Sequence, residues 1–336
     1  MMHKFLFSGR KKTLPWLISV TACFVIAFAG FEFLRSYFPP AASAPGKFPD
    51  ANIVFNAGWK LGFINADGSG VTIIPFRLTT SSMEVWGQPR ITGDNKTLIV
   101  INSLYPVGIG NIFVTHVGGN ALNCSQWGTS SIQLAGDQQH ILIDTQQGLA
   151  EYLPSDCGTN RAPIKLYNGI YGVLSPNEQY SANIEWAGEN PNQPMIVIRE
   201  IGSDNSRKIG PGDFPAWSRD SQWLAYTGAD GIYIINIKSN SEAKRVVALQ
   251  NTDPDKGSKY PLYLEDSSPS VYFPPMVSWS PDGQWLVYHL HRAEAGRDSR
   301  GDPSFYSLFK VNIITGEETK LIDGGLSPYW RWQAQP

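Results

Sequence analysis

Apolar residues in this chain come in short alternating runs, cut apart by Gly, Pro, Asn, Asp and Ser, and the clearest instance is Pro215 to Ile237. Pro215 to Trp217 predicts a short strand, and Ser218-Arg219-Asp220-Ser221 predicts a turn whose Ser and Asp side chains bond their own backbone. Trp223 to Tyr226 is a second strand. After the break at Gly228-Ala229-Asp230-Gly231, Ile232 to Ile237 forms a third, rich in β-branched and aromatic residues, and Arg245 to Ala248 a fourth. A sheet of four short antiparallel strands cannot bury both of its faces alone. Such a unit has to recur and stack.

It recurs. Val277 to Leu290, followed after an insertion by Ser307 to Ile322, matches the first unit strand for strand. Weaker copies begin at Pro89, Ser131 and Tyr171. With the residue after the Ser-Pro position as a marker, Asp94, Asp137, Asn177, Asp220 and Asp282 follow one another at 43, 40, 43 and 62 residues. A period near forty with four strands per repeat is that of a β-propeller blade. The ends fix the blade count. Ile53, Leu61 and Val71 open strands two, three and four of a blade without a first, while Leu326 to Trp332 places Pro328 and Trp330 as Pro215 and Trp217 are placed, and is then almost at the end of the chain. The expected fold is therefore all-β, a six-bladed β-propeller of four-stranded blades. Its ring closes by the C-terminal strand joining the N-terminal blade, which removes two exposed edges.

Pro-x-Trp-Ser-Pro-Asp-Gly, then an Ile-Ala-Phe-like strand, then Ile-Tyr-x-x-Asn is the repeat of the TolB-like, WD40-like six-bladed propellers, and residues 51 to 332 resemble that family. The likeness is tight at Ser278 to Gly283, good at Pro215 to Asn236 and at Leu61 to Gly70, and degenerate around Ser131 to Leu153. Similar propellers form the lids of prolyl-oligopeptidase-like peptidases, but no Gly-x-Ser-x-Gly nucleophile elbow occurs in this sequence.

Composition narrows the function class. Charged residues make up only 17% of the chain, and residues 1 to 35 hold five Lys/Arg against one Glu, which leaves the remainder at −6. A net acidic domain without a basic patch argues against nucleic acid as a partner. Gly at 32, Pro at 24 and Trp at 11 suit many tight turns and aromatic-packed sheets.

The N-terminal region reads as a targeting device. Residues 1 to 13 form a basic tail with Lys4, Arg10, Lys11 and Lys12, and residues 14 to 35 form an apolar segment long enough to span a bilayer as a transmembrane signal anchor. The positive-inside rule puts the tail in the cytoplasm and the domain outside, periplasmic or extracellular. Two other readings stay open: signal-peptidase cleavage at Ala27-Phe28-Ala29, and a lipobox ending in Cys23. Residues 36 to 50 are a Pro/Ala-rich linker, and residues 51 to 336 are the propeller domain.

If the domain is exported, Cys124 and Cys157, 33 residues apart and each near an outer strand of successive blades, are placed to form a disulfide. Isolated thiols are the alternative. Other candidate chemistry is thin. His289 and His291 share a strand face and offer two metal ligands without a third. Asp253 to Gly257 faintly resembles the start of a calcium loop but lacks its closing Glu. Arg300-Gly301-Asp302 spells an adhesion tripeptide that a charged Gly-rich loop contains by chance, and Asp67-Gly68 and Asp282-Gly283 read as turns. No catalytic set, metal site or cofactor is expected.

The insertions say more. The connection from strand two to strand three and the connection into the next blade emerge on the same face of a propeller, and the long loops use these: 76 to 88, 103 to 110, 186 to 194, 250 to 275 and 291 to 305. The other face is expected to keep tight turns. The two largest loops flank the sixth blade and supply Tyr260, Tyr263, Tyr272, Phe273, Arg292, Arg297 and Arg300, residue types favoured in interface hot spots. The primary reading is a membrane-tethered extracytoplasmic module that binds a protein or a cell-envelope polymer through this face. The alternative is a propeller enzyme that processes a carbohydrate or small ligand at the central channel, and a plain structural spacer is the third possibility.

Overall fold

The computed structural model describes residues 45–58, 60–75, 85–86, 88–103, 110–124, 127, 132–185, 194–228, 230–239, 241–249, 275–291 and 306–332. A repeated Ser/Thr-x-Asp/Asn is the local device that builds the first turn of blades two, four, five and six. Ser280 Oγ donates to Asp282 Oδ1 at 2.5 Å and accepts the amide of Trp285 at 2.9 Å, while Gln284 N donates to the same carboxylate at 3.0 Å. Ser218, Asp220, Gln222 and Trp223 repeat this arrangement, as do Ser175, Asn177, Gln179 and Tyr180, and Thr92, Asp94, Lys96 and Thr97. The hydroxyl satisfies the first amide of the second strand and the carboxylate satisfies the turn, so no backbone donor is orphaned at the bend. The next residue takes a left-handed backbone: φ is 69° at Gly283, 60° at Ser221, 58° at Glu178 and 61° at Asn95 and Gln138. Only one of these five is Gly, which is why the Asp-Gly signature fades in the weaker copies.

Six sheets result. Blade one takes Leu326–Trp330 as its inner strand, followed outward by Ile53–Asn56, Lys60–Ile64 and Thr72–Pro75. Blade three runs Ile132–Leu134, Ile141–Thr145, Gly148–Tyr152, Lys165–Asn168, and blade four runs Val173–Leu174, Tyr180–Glu185, Met195–Glu200, Ser206–Pro211. Blade five runs Asp213–Trp217, Trp223–Gly228, Gly231–Asn236, Lys244–Ala248, and blade six runs Val277–Trp279, Trp285–His291, Tyr306–Asn312, Glu318–Asp323. Blade two departs from the pattern. Its inner strand is split into Val85–Trp86 and Arg90–Ile91, both paired with Thr97–Ser103, and Gly110–His116 and Leu122–Asn123 lie outside them. The sequence assigns Val85 and Trp86 to a loop. The split falls at Pro89, which has no amide to give to a ladder.

Indole N–H groups stitch blade to blade. Trp217 Nε1 donates to Val173 O at 2.8 Å, Trp279 Nε1 to Ala216 O at 2.9 Å, and Trp332 Nε1 to Trp279 O at 3.0 Å. A buried indole needs an acceptor, and the inner strand of the preceding blade supplies it. Trp217 of the Pro-x-Trp signature and its counterpart Trp279 thus report contact between blades as well as core filling, whereas in the closing strand the donor is Trp332 and not the matching Trp330. Around these bonds, Trp279, Leu286 and Tyr288 of blade six pack with Ala225, Ile232 and Ile234 of blade five.

Ring closure follows the sequence expectation. Ile53 pairs with Trp330, Val54 with Tyr329 and Asn56 with Leu326. Arg331, almost wholly buried, fastens the junction: its Nη1 donates to Pro49 O and Ala51 O at 2.7 Å, and its Nη2 to Asn95 Oδ1 at 2.5 Å. Cys124 and Cys157 are joined by a disulfide that ties blade two to blade three, with Cα atoms 5.0 Å apart. Cys157 does not lie at an outer strand, as the sequence suggests. It follows the 3-10 turn Pro154–Asp156 in the twelve-residue connection from Tyr152 to Lys165, which also makes blade three an exception to the tight turns expected on that face.

Burial pushes the Tyr167 and Tyr226 phenols up to about 12, and it raises Tyr288 and Tyr329 as well. An unperturbed tyrosine ionises near ~10. The folded state therefore favours the neutral phenol, so this contribution to stability is complete below about pH 10 and is lost as pH rises through about 12. In an alkaline titration, these tyrosines should develop tyrosinate absorbance only together with the loss of near-UV circular dichroism. Ionisation of all 14 tyrosines before any loss of that signal would contradict their burial.

Candidate functional site

The strand register places the roots of the long connections. Ser103 pairs with Gly110, Glu185 with Met195 and His291 with Tyr306, so the second-to-third-strand insertions of blades two, four and six leave from equivalent sheet ends. Val85 pairs with Ser103 and Val277 with Tyr288, which puts the entries to blades two and six at that same end. By contrast, blade five closes Gly228 against Gly231 and blade three closes Thr145 against Gly148 with minimal turns. The insertions of residues 250–274 and 292–305 are thus rooted side by side at one end of blade six. The residues proposed to do the binding, Tyr260, Tyr263, Tyr272, Phe273, Arg292, Arg297 and Arg300, lie outside the described residues, as do Asp253 to Gly257, the Arg-Gly-Asp tripeptide and the anchor segment 14 to 35. Among the described residues no helix is long and apolar enough to cross a membrane.

His289 stands at the root of these loops. It is fully buried, and its Nδ1 accepts the amide of Met276 at 3.4 Å and that of Ser327 at 3.3 Å, while its ring meets Tyr306 edge on. An Nδ1 that accepts two amides has no lone pair left for a metal. His289 therefore positions the start of blade six's inner strand against the closing strand of blade one. Among the described residues no cluster of three His, Cys, Asp or Glu is arranged to hold a metal ion.

A second assembly lies at the inner strands, where groups from four blades meet. Gln88, freed by the split inner strand of blade two, donates from Nε2 to Pro328 O of blade one at 3.1 Å and to Val277 O of blade six at 3.4 Å. Its Oε1 accepts Arg90 Nη2 at 2.5 Å. The Arg90 guanidinium sits 4.1 Å from the centre of the Tyr329 ring, and Tyr329 Oη donates to Gln138 Oε1 of blade three at 3.3 Å. Burial draws the Arg90 guanidinium down to about 10, so it stays charged at neutral pH. Its Nη1 is shielded from solvent and has no hydrogen-bond partner among the described residues. The inner strands thereby orient a cation that no carboxylate of the described residues neutralises, in contrast to Arg331, whose donors are taken by three oxygens.

Sequence reading missed this assembly, because its members lie up to 240 residues apart. One signal was present. Counted from the marker residues, Arg90, Gln133, Val173, Ala216, Ser278 and Tyr329 occupy the same middle position of the inner strand, and Arg90 is the one charged residue among them.

Solved structures share this architecture. TolB from Acinetobacter baumannii matches with a TM-score of 0.54 over 85% of this chain and 68% of its own, at 13% sequence identity. The putative TolB from Agrobacterium tumefaciens matches with a TM-score of 0.51 over 85% of this chain and 95% of its own, at 14% identity. No protein-family sequence model matches the chain, and no curated protein sequence does. At such identity the likeness is one of fold, and the fold of this chain is that of the TolB-like six-bladed propellers.

Proposed function

We propose that the chain is a membrane-tethered extracytoplasmic binding module whose loop-rich face engages a protein or a cell-envelope polymer. The observation that carries this reading is the common rooting of the long connections: those of blades two, four and six start from one end of their sheets, where a rigid ring presents them together. The disulfide between Cys124 and Cys157 supports an oxidising compartment, and the basic cluster before Leu14 supports an inside-to-outside orientation.

The test replaces residues 250–274 and 292–305 by short Gly-containing turns and measures capture of partners from solubilised membranes, with the wild-type chain and a charge-reversed Lys238/Glu242 variant alongside. Lys238 and Glu242 are exposed in the connection between Gly231–Asn236 and Lys244–Ala248, on the opposite face. The loop replacement is expected to reduce capture by ~100-fold or more with the melting transition intact, since losing a hot-spot cluster costs at least a few kcal/mol. The control is expected to stay within about twofold, as a rim charge contributes little. Undiminished capture by the loop-replaced ring would end this reading. Protease added to intact spheroplasts should digest the domain and leave a membrane-bound stub, whereas protection of the domain would reverse the orientation.

A further inference from the structure

We propose that Arg90 anchors a carboxylate-binding site where the inner strands of blades one and two meet, and that Gln88 fills that site in the unliganded protein. This goes beyond the loop-face reading and does not depend on it. A buried cation without a counter-charge is costly, and natural folds pair or hydrate such groups. Here no carboxylate of the described residues pairs with Arg90. Three blades contribute to holding the guanidinium in place, through the Tyr329 face, the Gln88 amide and the Gln138 side chain behind Tyr329, yet Nη1 has no acceptor among the described residues. The unfilled Arg90 Nη1 marks a place for an acceptor that the described residues do not supply.

The chemistry of the acceptor follows from the donors. Gln88 Oε1 is a neutral oxygen seated on Nη2, where an anionic oxygen would form a charge-assisted bond about twice as strong. A carboxylate carries one charge and two coplanar oxygens, which match the edge of one guanidinium. A phosphate needs more donors and more positive charge than this site holds. Arg90 keeps partial solvent exposure as a residue, which gives an incoming group a path to it. The carboxylate displaces the Gln88 amide from Nη2 and takes up Nη1 as well. No bond is made or broken in the ligand, so this is a binding site and not a reaction centre.

The experiment titrates the full chain with sodium propionate at constant ionic strength, against chloride and inorganic phosphate, and follows the melting temperature and the heat of binding. Wild type should show a saturable rise in melting temperature with propionate and none with chloride, as expected for a ligand that binds only the folded state. Arg90→Gln should abolish the saturable component, and Arg90→Lys should weaken it at least ~10-fold, because an ammonium lacks the planar fork. Gln88→Ala should tighten it by removing the internal competitor, and this variant decides the matter if Arg90→Gln fails to fold. A propionate response no larger than that to chloride, an equal response to phosphate, or a Gln88→Ala affinity at or below wild type would each overturn the proposal. Repeating the titration with a short peptide, once as the free acid and once C-terminally amidated, distinguishes a chain end from a small molecule as the source of the carboxylate: binding of the free acid alone assigns a chain end, and binding of propionate without either peptide assigns a small ligand.

Discussion

A chain that stops at Gly325 is expected to lose cooperative unfolding and to aggregate. It lacks the strand that pairs with Ile53–Asn56, so blade one would present an open edge of four residues, all of them buried in the intact ring. It also lacks the Trp332 indole bond to Trp279 O and the Trp330 amide bond to Ser278 Oγ, so blade six would lose its partner on the same side. Arg331 is the most economical test of the same junction. Arg331→Ala leaves Pro49 O, Ala51 O and Asn95 Oδ1 without their donor, and at ~1–3 kcal/mol for each buried group left unsatisfied the loss is on the order of several kcal/mol. Urea unfolding should show a lower midpoint with an unchanged slope for Arg331→Ala, and a broad transition or none for the truncation. A truncated chain that stays monomeric with an unaltered transition would show that the shared blade does not close the ring.

The architecture was legible because its determinants are local and repeated. Four of the six blades use a Ser or Thr and an Asp or Asn at fixed offsets to satisfy a tight turn, and the blades need alternating apolar residues to bury a sheet face. Such constraints leave a trace in the copies, and they located the termini as halves of one blade. The interior of the ring left almost none. Arg90, Gln88, Tyr329 and Gln138 meet through the geometry of closure, and nothing in the run from Gln88 to Ile91 announces that its side chains will reach blades one and six. Arg331 was hidden for the same reason, since its acceptors lie some 280 residues upstream. The loop face falls between these cases: strand order fixes where each insertion is rooted, while the residues at its tip carry no periodicity from which a conformation could be read.

Gly62→Ala is expected to destabilise the ring by ~3 kcal/mol or more, although Ala is ordinarily the milder residue in a strand. Gly62 lies directly opposite Phe55 in the pairing of Ile53–Asn56 with Lys60–Ile64. A Cβ at position 62 would come within 2.1 to 2.5 Å of three atoms of the Phe55 ring, which is fully buried. That ring occupies the space a side chain would need, and it packs with Ile53, Ile64, Val287, Leu308 and Trp330, so it binds blade one to blade six across the closing strand. The substitution forces the ring out of a close-packed layer, and overpacking of this kind costs more than the strand propensity of Ala returns. The cause is identified by a double-mutant cycle. Phe55→Leu alone should cost ~1–2 kcal/mol as a cavity-forming change. Combined with Gly62→Ala, it should recover at least ~1 kcal/mol relative to the sum of the two, because the shorter side chain vacates the space the new methyl requires. Additive losses in urea unfolding would show that Gly62 is needed for its backbone and not for the room it gives Phe55.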